Sequence, residues 1–292
     1  MSSTVDSLFA FYTQQVAIYA GLPILIAGVL GEILNIIIFL SLQTFRQNSC
    51  AFYLLTMSCV NIGQLLTGLL IRILITGFGI DLTVQSIFYC KFRQYIRQVC
   101  ALISLTCLCF ATLDQYLTTC SRVRWQKWSS IKIARRLCAI TVLFWILHGI
   151  PTFLYFNIVQ STINGRLICI LTDARYSLYF TYVYITIFTG YLPVFICTLF
   201  GLLAYYNVRR LAYRTVPLVR RELDKQLTIM VLILDIYNFI ALMPYPIILV
   251  LTLVTNITQN SVIAKQINFV SDLTSYTYFS YFAVSMSQIL FI

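Results

Sequence analysis

Long stretches without a charged residue are the feature that most constrains this chain. Residues 47–71, 137–165 and 176–208 contain no Asp, Glu, Lys or Arg. Each stretch is longer than the roughly 20 residues that a helix needs to cross about 30 Å of hydrocarbon. Four further apolar stretches, interrupted by few charges, also qualify: about 17–41, 92–119, 226–254 and 267–292. The sequence therefore predicts seven membrane spans.

The composition of the whole chain agrees with this prediction. Charged residues make up 10% of it and hydrophobic residues 60%, whereas soluble domains carry about 25% charged residues. So few charges cannot cover a water-facing surface, which excludes a soluble enzyme, a disordered chain and a fibre. Because lipid offers no partner to backbone groups, the spans are predicted to be helices. The expected fold is all-α, a seven-transmembrane helix bundle over 17–292 that follows an extracellular N-terminus at 1–16.

Most Lys and Arg residues between the predicted spans fall on one side of the membrane. Basic residues are biased toward the cytoplasm, so that side is inside, and an odd number of spans then puts the N-terminus outside. The cytoplasmic set is Arg46, Arg122, Arg124, Lys127, Lys132, Arg135, Arg136, Arg209, Arg210, Arg214, Arg220, Arg221 and Lys225. The outer set is Lys91, Arg93, Arg166, Arg175 and Lys265.

The net charge of +11 does not indicate binding to nucleic acid, because almost all of the excess lies in the cytoplasmic loops. We interpret it as a topology signal that also lies against the anionic headgroups of the lipid bilayer. A docking face for an acidic cytoplasmic partner is a second interpretation, and the two are compatible.

Ten cysteines suggest a disulfide scaffold until they are placed on this topology. Six lie within spans, where a thiol usually packs as a small apolar group, and Cys50 and Cys120 lie near the cytoplasmic face. Only Cys90 and Cys169 fall on the outer, oxidising side. The topology therefore predicts a disulfide between Cys90, at the start of the third span, and Cys169, in the loop after the fourth.

The outer loop after the predicted sixth span contains an N-glycosylation pattern, Asn256-Ile257-Thr258. The pattern is short and often arises by chance, and its closeness to the membrane can keep the transferase away. Asn256 is a candidate site, and the modified and unmodified states both stay open.

A set of anchor residues recurs along the chain in a fixed order and spacing. They are Asn35 in the first span, Cys90 and Asp114-Gln115-Tyr116 in the third, Trp145 in the fourth, Pro193 in the fifth and Pro244 in the sixth. Together they resemble the rhodopsin-like (class A) G-protein-coupled receptors over nearly the whole chain, in the style of peptide receptors. The resemblance implies a multi-pass plasma-membrane receptor with an extracellular ligand and a heterotrimeric G protein as partners.

The resemblance is incomplete at residues that this family uses to switch. Gln115 stands for the arginine of the Asp-Arg-Tyr motif, Asn61 for the aspartate of the second span and Leu242 for the tryptophan of the sixth, and 285–289 replace the Asn-Pro-x-x-Tyr motif. Asp224, at the foot of the sixth span, is then the acid that the missing arginine would pair with. We expect inefficient coupling. A receptor-like protein that does not couple is the alternative, and truncation of the chain would also explain the last departure.

Polar residues are sparse at mid-depth in the predicted spans. Asn61 is a neutral amide, and Ser104 on the next span supplies no charge, so a sodium site is not expected there. An interhelical hydrogen bond, which contributes about 0.6 to 2 kcal/mol, is the expected role of Asn61. Glu32 and Asp235 are interpreted as isolated acids in apolar spans.

The third span has one polar face, since residues at intervals of three and four share it. Its members are Arg93, Arg97, Cys100, Ser104, Cys107, Ala111 and Asp114. Arg97 lies about two turns inside the span, where a lone cation normally marks a cavity or pathway. Arg72 lies at a similar depth in the second span.

Arg97, Arg93 and Arg72 are therefore candidate ligand contacts. The guanidinium fork binds carboxylates and phosphates bidentately, which favours a peptide or an anionic small molecule. Alternatively, the arginines reach the headgroups or pair with acids of the outer half, namely Asp272, Asp81 or Asp173. The resemblance disfavours a biogenic amine, because Arg97 stands where amine receptors carry an aspartate.

Other functional classes find little support in the sequence. It contains no phosphate-binding loop, zinc-ligand spacing, nucleophile elbow or paired carboxylates, and its single histidine, His148, cannot form a metal cluster or triad. Neither catalysis nor a cofactor is expected. A membrane transporter or channel remains the alternative to a receptor, but it would need more polar residues at mid-depth and often has repeated halves.

Overall fold

The computed structural model of the chain describes residues 2–120, 122–160, 165, 167–211, 218–257 and 261–283. Side chains are described over the same ranges except at 2–7, 44, 123, 210–211, 218–225, 249, 252–257, 261–265 and 268. Seven long helices, α1–α7, follow one another in the order of the predicted spans. One β-hairpin lies between α4 and α5.

The bounds of the helices are as follows. α1 comprises Ser2–Val16, a π-helical turn at Ala17–Gly21 and Leu22–Ser41, and α2 comprises Ser49–Gln64, a π-helical stretch at Leu65–Leu70 and Ile71–Phe78. α3 is Ile87–Thr119, and α4 is Ile131–His148 followed by Ile150–Tyr155. α5 comprises Ala174–Tyr179, a π-helical stretch at Phe180–Tyr191 and Leu192–Leu211. α6 comprises Leu218–Leu242 and Pro244–Ile257, and α7 is Ser261–Tyr281. Short helical turns lie at Gln43–Arg46, Leu82–Val84 and Val123–Gln126.

These helices confirm the predicted seven-transmembrane bundle. Within the described residues, six of them are long and apolar enough to cross a membrane. α7 has 21 residues, which at about 1.5 Å per residue also matches the roughly 30 Å thickness of the hydrocarbon.

α1 begins much earlier than the charge pattern predicts. Its membrane-length stretch has 34 residues, about 50 Å of helix, so part of it projects beyond the hydrocarbon. The projecting part is held by neighbours: Gln14 Nε2 donates to the Gly77 carbonyl oxygen at 2.9 Å, and the ring of Phe9 stacks on Phe269. Residues 1–16 were predicted as a segment before the bundle, yet they are helical over most of their length because packing extends a helix past the lipid.

α3 is the central helix, packed against α2, α4, α5 and α6. Ser104, Ala111 and Asp114 of its polar face are buried, as the spacing of three and four predicts. α4 approaches α3 closely at Gly149, where an added Cβ would lie 2.8 Å from Tyr95 Cε2.

α6 is interrupted at Met243, between its two segments. Pro244 has no backbone N–H and its ring crowds the preceding turn, which breaks the helical ladder. The outer segment continues to Ile257, past the predicted end at 254, so Asn256 lies in the last turn of a helix and not in the expected loop. The side chain of Asn256 lies outside the described residues, and its glycosylation stays a prediction.

The connection between α4 and α5 is a β-hairpin, where the sequence predicted only a loop. β1 (Phe156–Gln160) and β2 (Leu167–Leu171) pair antiparallel, with Ile158 opposite Cys169. β1 packs against α3, and β2 packs against the turn at Leu82–Val84. The hairpin therefore brings Cys169 to the outer end of α3.

Candidate functional site

The outer end of α3 is covalently tied to the hairpin. Cys90, buried in the first turn of α3, is bonded to Cys169 in β2, and their Cα atoms lie 5.9 Å apart. This is the pair that the predicted topology selects. The bond fixes the hairpin against the end of the bundle where the candidate ligand contacts lie.

We expect mass spectrometry of protein digested without reduction to recover the peptides of Cys90 and Cys169 as one cross-linked species. The other eight cysteines are free thiols, so alkylation under denaturing, non-reducing conditions should label them alone. Reduction should then separate the two peptides. Alkylation of Cys90 or Cys169 before reduction, in protein that was folded until it was denatured, would contradict this prediction.

Two of the three candidate arginines have partners within the protein. Arg72 Nη2 donates to Asp272 Oδ1 at 2.6 Å, which joins α2 to α7, and its guanidinium lies 5.6 Å from the ring centre of Tyr276. Arg93 Nε donates to the Thr67 carbonyl oxygen of α2 at 2.8 Å. For Arg72, this is the pairing with Asp272 that the sequence left open as the alternative to ligand contact.

Arg97 has different surroundings. Among the described residues it has no hydrogen-bond or acidic partner, although its Nε atom is buried. Its stem passes Gly68 of α2, where an added Cβ would lie 3.6 Å from Arg97 Cδ. The phenols of Tyr184 in α5 and Tyr278 in α7 are close enough to interact electrostatically with it. The side chain of Arg97 thus lies against α2 and interacts with phenols of α5 and α7, and no carboxylate of the described residues lies within ion-pair distance of it.

Two glutamine side chains add polar atoms beside Arg97. Gln94 Oε1 and Gln98 Nε2 are buried and have no hydrogen-bond partner among the described residues, whereas Gln98 Oε1 accepts from Thr152, whose hydroxyl lies 2.6 Å from that of Tyr176. Buried polar atoms are nearly always satisfied in folded proteins. This part of α3 therefore carries a cation, a donor and an acceptor without hydrogen-bond partners among the described residues.

A buried polar network at mid-depth joins α1, α2 and α3. Asn61 Nδ2 donates to Glu32 Oε1 at 2.6 Å, and Ser104 Oγ donates to Asn61 Oδ1 at 2.6 Å. All three residues are buried. The predicted interhelical hydrogen bond of Asn61 is present. The interpretation of Glu32 as an isolated acid is wrong, because its carboxylate is the partner of Asn61.

Asp235 is not isolated either. Its carboxylate accepts from Thr112 Oγ1 of α3 at 3.0 Å, and an added Cβ on Gly201 of α5 would lie 2.9 Å from Asp235 Oδ2. The carboxylate therefore lies where α3, α5 and α6 meet. A glycine at this point of α5 leaves the space that the carboxylate fills.

The other predicted anchors occupy interior positions. Trp145 of α4 donates from Nε1 to Thr106 Oγ1 of α3 at 3.0 Å. Asn35 in α1 and Pro193 in α5 are buried, and Pro244 starts the outer segment of α6. These residues fix how the helices pack.

The cytoplasmic end of α3 contacts α2, α5 and α6. Ser49 Oγ of α2 donates to Asp114 Oδ2 at 2.7 Å, and the ring of Tyr116 lies 5.5 Å from that of Phe200 in α5. Gln115 Oε1 accepts from Thr228 Oγ1 of α6 at 2.7 Å. The side chain of Asp224, the predicted partner of Gln115, lies outside the described residues, as does the segment 285–289.

The chain also matches a known protein family over most of its length. The family described as 7 transmembrane receptor (rhodopsin family) matches residues 31–286, from α1 past the last described residue of α7. The chain belongs to this family of seven-transmembrane receptors. Among curated proteins, none matches it. The protein is therefore a multi-pass receptor of the plasma membrane, and its family consists of signalling receptors, not enzymes.

Several contacts of this receptor were missed in the sequence, and two of them involve polar residues at the switch positions. Thr228 lies four residues, about one helical turn, after Asp224, so helical periodicity places both on one face of α6; that spacing was a usable signal. The pairing of Glu32 with Asn61 had no comparable signal, because it joins different helices. Both contacts lie at positions where the receptor departs from the family pattern.

Proposed function

We propose that this receptor transduces the binding of an anionic extracellular ligand, a small molecule or a peptide with a carboxylate or phosphate, to a cytoplasmic G protein. Arg97 supports the proposal, because it is a partly buried cation with no acidic partner in the described part of the chain. A cation within a membrane span is expensive unless it is paired. An anionic ligand would supply that partner and accept both arms of the guanidinium fork.

The residues near Arg97 restrict the chemical class of the ligand further. Tyr184 and Tyr278 add hydroxyl donors and aromatic faces, while Gln94 and Gln98 add an acceptor and a donor. A ligand that combines an anionic group with an aromatic or amide portion fits these side chains. An amine would meet the Arg97 cation at close range, which disfavours a biogenic amine.

The experiment is a nucleotide-exchange screen with the purified receptor in nanodiscs and heterotrimeric G proteins of each class. The library holds carboxylates, phosphates and acidic peptides, each paired with its neutral ester or amide, together with amines. We expect activating compounds to be anionic and to lose at least about tenfold in potency when neutralised, since charge-pair losses exceed about 1.4 kcal/mol. Activation by amines or neutral compounds alone would contradict the ligand class. Compounds that bind without stimulating exchange would favour the non-coupling alternative.

The Gln115–Thr228 hydrogen bond is the proposed restraint on the inactive state, replacing the charge pair of the family. It joins the foot of α3 to α6 with a neutral donor and acceptor. Such a bond contributes only about 0.5 to 1.5 kcal/mol, so α6 is held loosely in the inactive state. In active members of the family the arginine that Gln115 replaces reaches into the G-protein cleft, so coupling is expected to be inefficient as well.

Thr228→Val removes the hydroxyl and keeps the side-chain shape, so it should raise basal nucleotide exchange about two- to tenfold. The matched control is Thr118→Val, whose hydroxyl donates to the Gln115 carbonyl oxygen within α3. It should leave basal exchange unchanged. An unchanged rate for Thr228→Val at equal receptor concentration would mean that other contacts restrain α6.

A further inference from the structure

The cytoplasmic connection between α3 and α4 forms an ordered surface. It contains the short helix Val123–Gln126, and Gln126 Nε2 donates to the Cys120 carbonyl oxygen at 2.8 Å. Ser129 Oγ lies 2.9 Å from Ser49 Oγ, which ties the other end of the connection to α2. The connection therefore has a fixed position relative to the ends of the helices.

This surface is positively charged and its charges are not compensated nearby. Four of its basic side chains are exposed: Arg122, Arg124, Lys127 and Lys132. The sequence has no acidic residue from 115 to 172, and within the described part of the chain none of the four forms an ion pair. The partner of such a surface must be an anion.

The same surface exposes two of the three tryptophans of the chain. Trp125 is 46% exposed and Trp128 is 63% exposed, whereas Trp145 in the bundle is buried. Tryptophan is enriched at the level of lipid headgroups, where its apolar ring and its N–H are both accommodated. Trp128 lies three residues before the start of α4 at Ile131, close to the membrane boundary.

We propose that this surface, made of Arg122, Arg124, Trp125, Lys127, Trp128 and Lys132, binds anionic phospholipid headgroups of the inner leaflet. Phosphate and carboxylate groups of the lipid pair with the cations, and the two indole rings enter the headgroup layer. The tryptophans favour a lipid over an acidic protein, because they flank Lys127 next to the end of a membrane helix. Each basic residue near an anionic membrane surface contributes about a fivefold gain in affinity for that surface, so several together favour contact with anionic lipid.

Because the chain has only three tryptophans, fluorescence quenching can test the proposal. In a Trp145→Phe background, Trp125 and Trp128 are the only tryptophans of the receptor, so under excitation selective for tryptophan brominated lipids report which lipid contacts this surface. The receptor is placed in nanodiscs with a tryptophan-free scaffold and mixed phosphatidylserine and phosphatidylcholine, with the bromine on one lipid or on the other at the same overall composition. We expect brominated phosphatidylserine to quench at least about twofold more per mole than brominated phosphatidylcholine.

Charge-matched variants make the result specific to this surface. Arg122→Gln with Arg124→Gln should bring the two quenching values together, whereas Arg46→Gln with Arg209→Gln, which removes two cytoplasmic cations elsewhere, should preserve the difference. Equal quenching by both lipids in the parent protein would overturn the proposal. So would strong quenching by iodide with little by either brominated lipid, because the surface would then face the cytoplasm and be open to a protein partner.

Discussion

Replacing Arg97 by alanine should weaken an anionic ligand by about 30-fold or more. Removing one member of a desolvated charge pair typically costs about 2 to 5 kcal/mol, much of it because the other charge is left unpaired. Arg97 has no acidic partner in the described part of the receptor, so its charge is available to pair with the ligand. Competition binding with an active compound from the screen, at matched surface expression, measures the change.

Two further variants distinguish direct contact between Arg97 and the ligand from long-range attraction of the ligand by positive charge. Arg97→Lys keeps the charge and loses the planar fork, so its affinity should lie between those of the parent and the alanine variant. Lys91→Gln removes a cation at the outer end of α3, where Lys91 Nζ donates to the Leu154 carbonyl oxygen and is exposed. It should change affinity little. If Arg97→Ala and Lys91→Gln weaken the ligand equally, the general positive field attracts it and Arg97 makes no direct contact.

The sequence alone was sufficient to predict the membrane-spanning helices and the outer disulfide. The segments 47–71, 137–165 and 176–208 leave no other way to satisfy backbone groups in lipid. Cys90 and Cys169 were the only two cysteines on the outer side of the predicted topology, so their pairing followed by elimination. Both inferences depend on where the residues lie along the chain. They do not depend on which face each helix turns toward its neighbours.

The contacts between helices could not be predicted in the same way. Glu32 and Asn61 are 29 residues apart, and Arg72 and Asp272 are 200 apart. The polar face of α3 could be recognised from its spacing, but a membrane helix that is apolar all round has no hydrophobic pattern to show which residues face inward. The sequence offered Asp272 as one of three acids for Arg72 and offered no partner for Glu32.

Glu32→Leu should destabilise the bundle more than Glu32→Gln. Leucine removes the acceptor of Asn61 Nδ2, and a buried donor left without a partner costs about 1 to 3 kcal/mol. Glutamine keeps a side-chain oxygen at the same distance from the backbone and can still accept. Five free cysteines are buried, namely Cys50, Cys107, Cys109, Cys138 and Cys197, so the fluorescence of a thiol-reactive dye during heating reports unfolding of the detergent-purified receptor.

The double variant Glu32→Leu with Asn61→Leu decides whether the network acts as a unit. Each single change leaves a buried polar group without a partner. The double change removes both ends of the Glu32–Asn61 bond, so only Ser104 has to find another acceptor. Threonines of the same helix find one by donating to backbone carbonyls one turn back. The loss in melting temperature of the double variant should therefore be smaller than the sum of the two single losses. The corresponding coupling free energy between positions 32 and 61 is about 0.6 to 2 kcal/mol. Strictly additive losses would show that Glu32 and Asn61 stabilise the bundle independently, and the contact between α1 and α2 would then depend on packing alone.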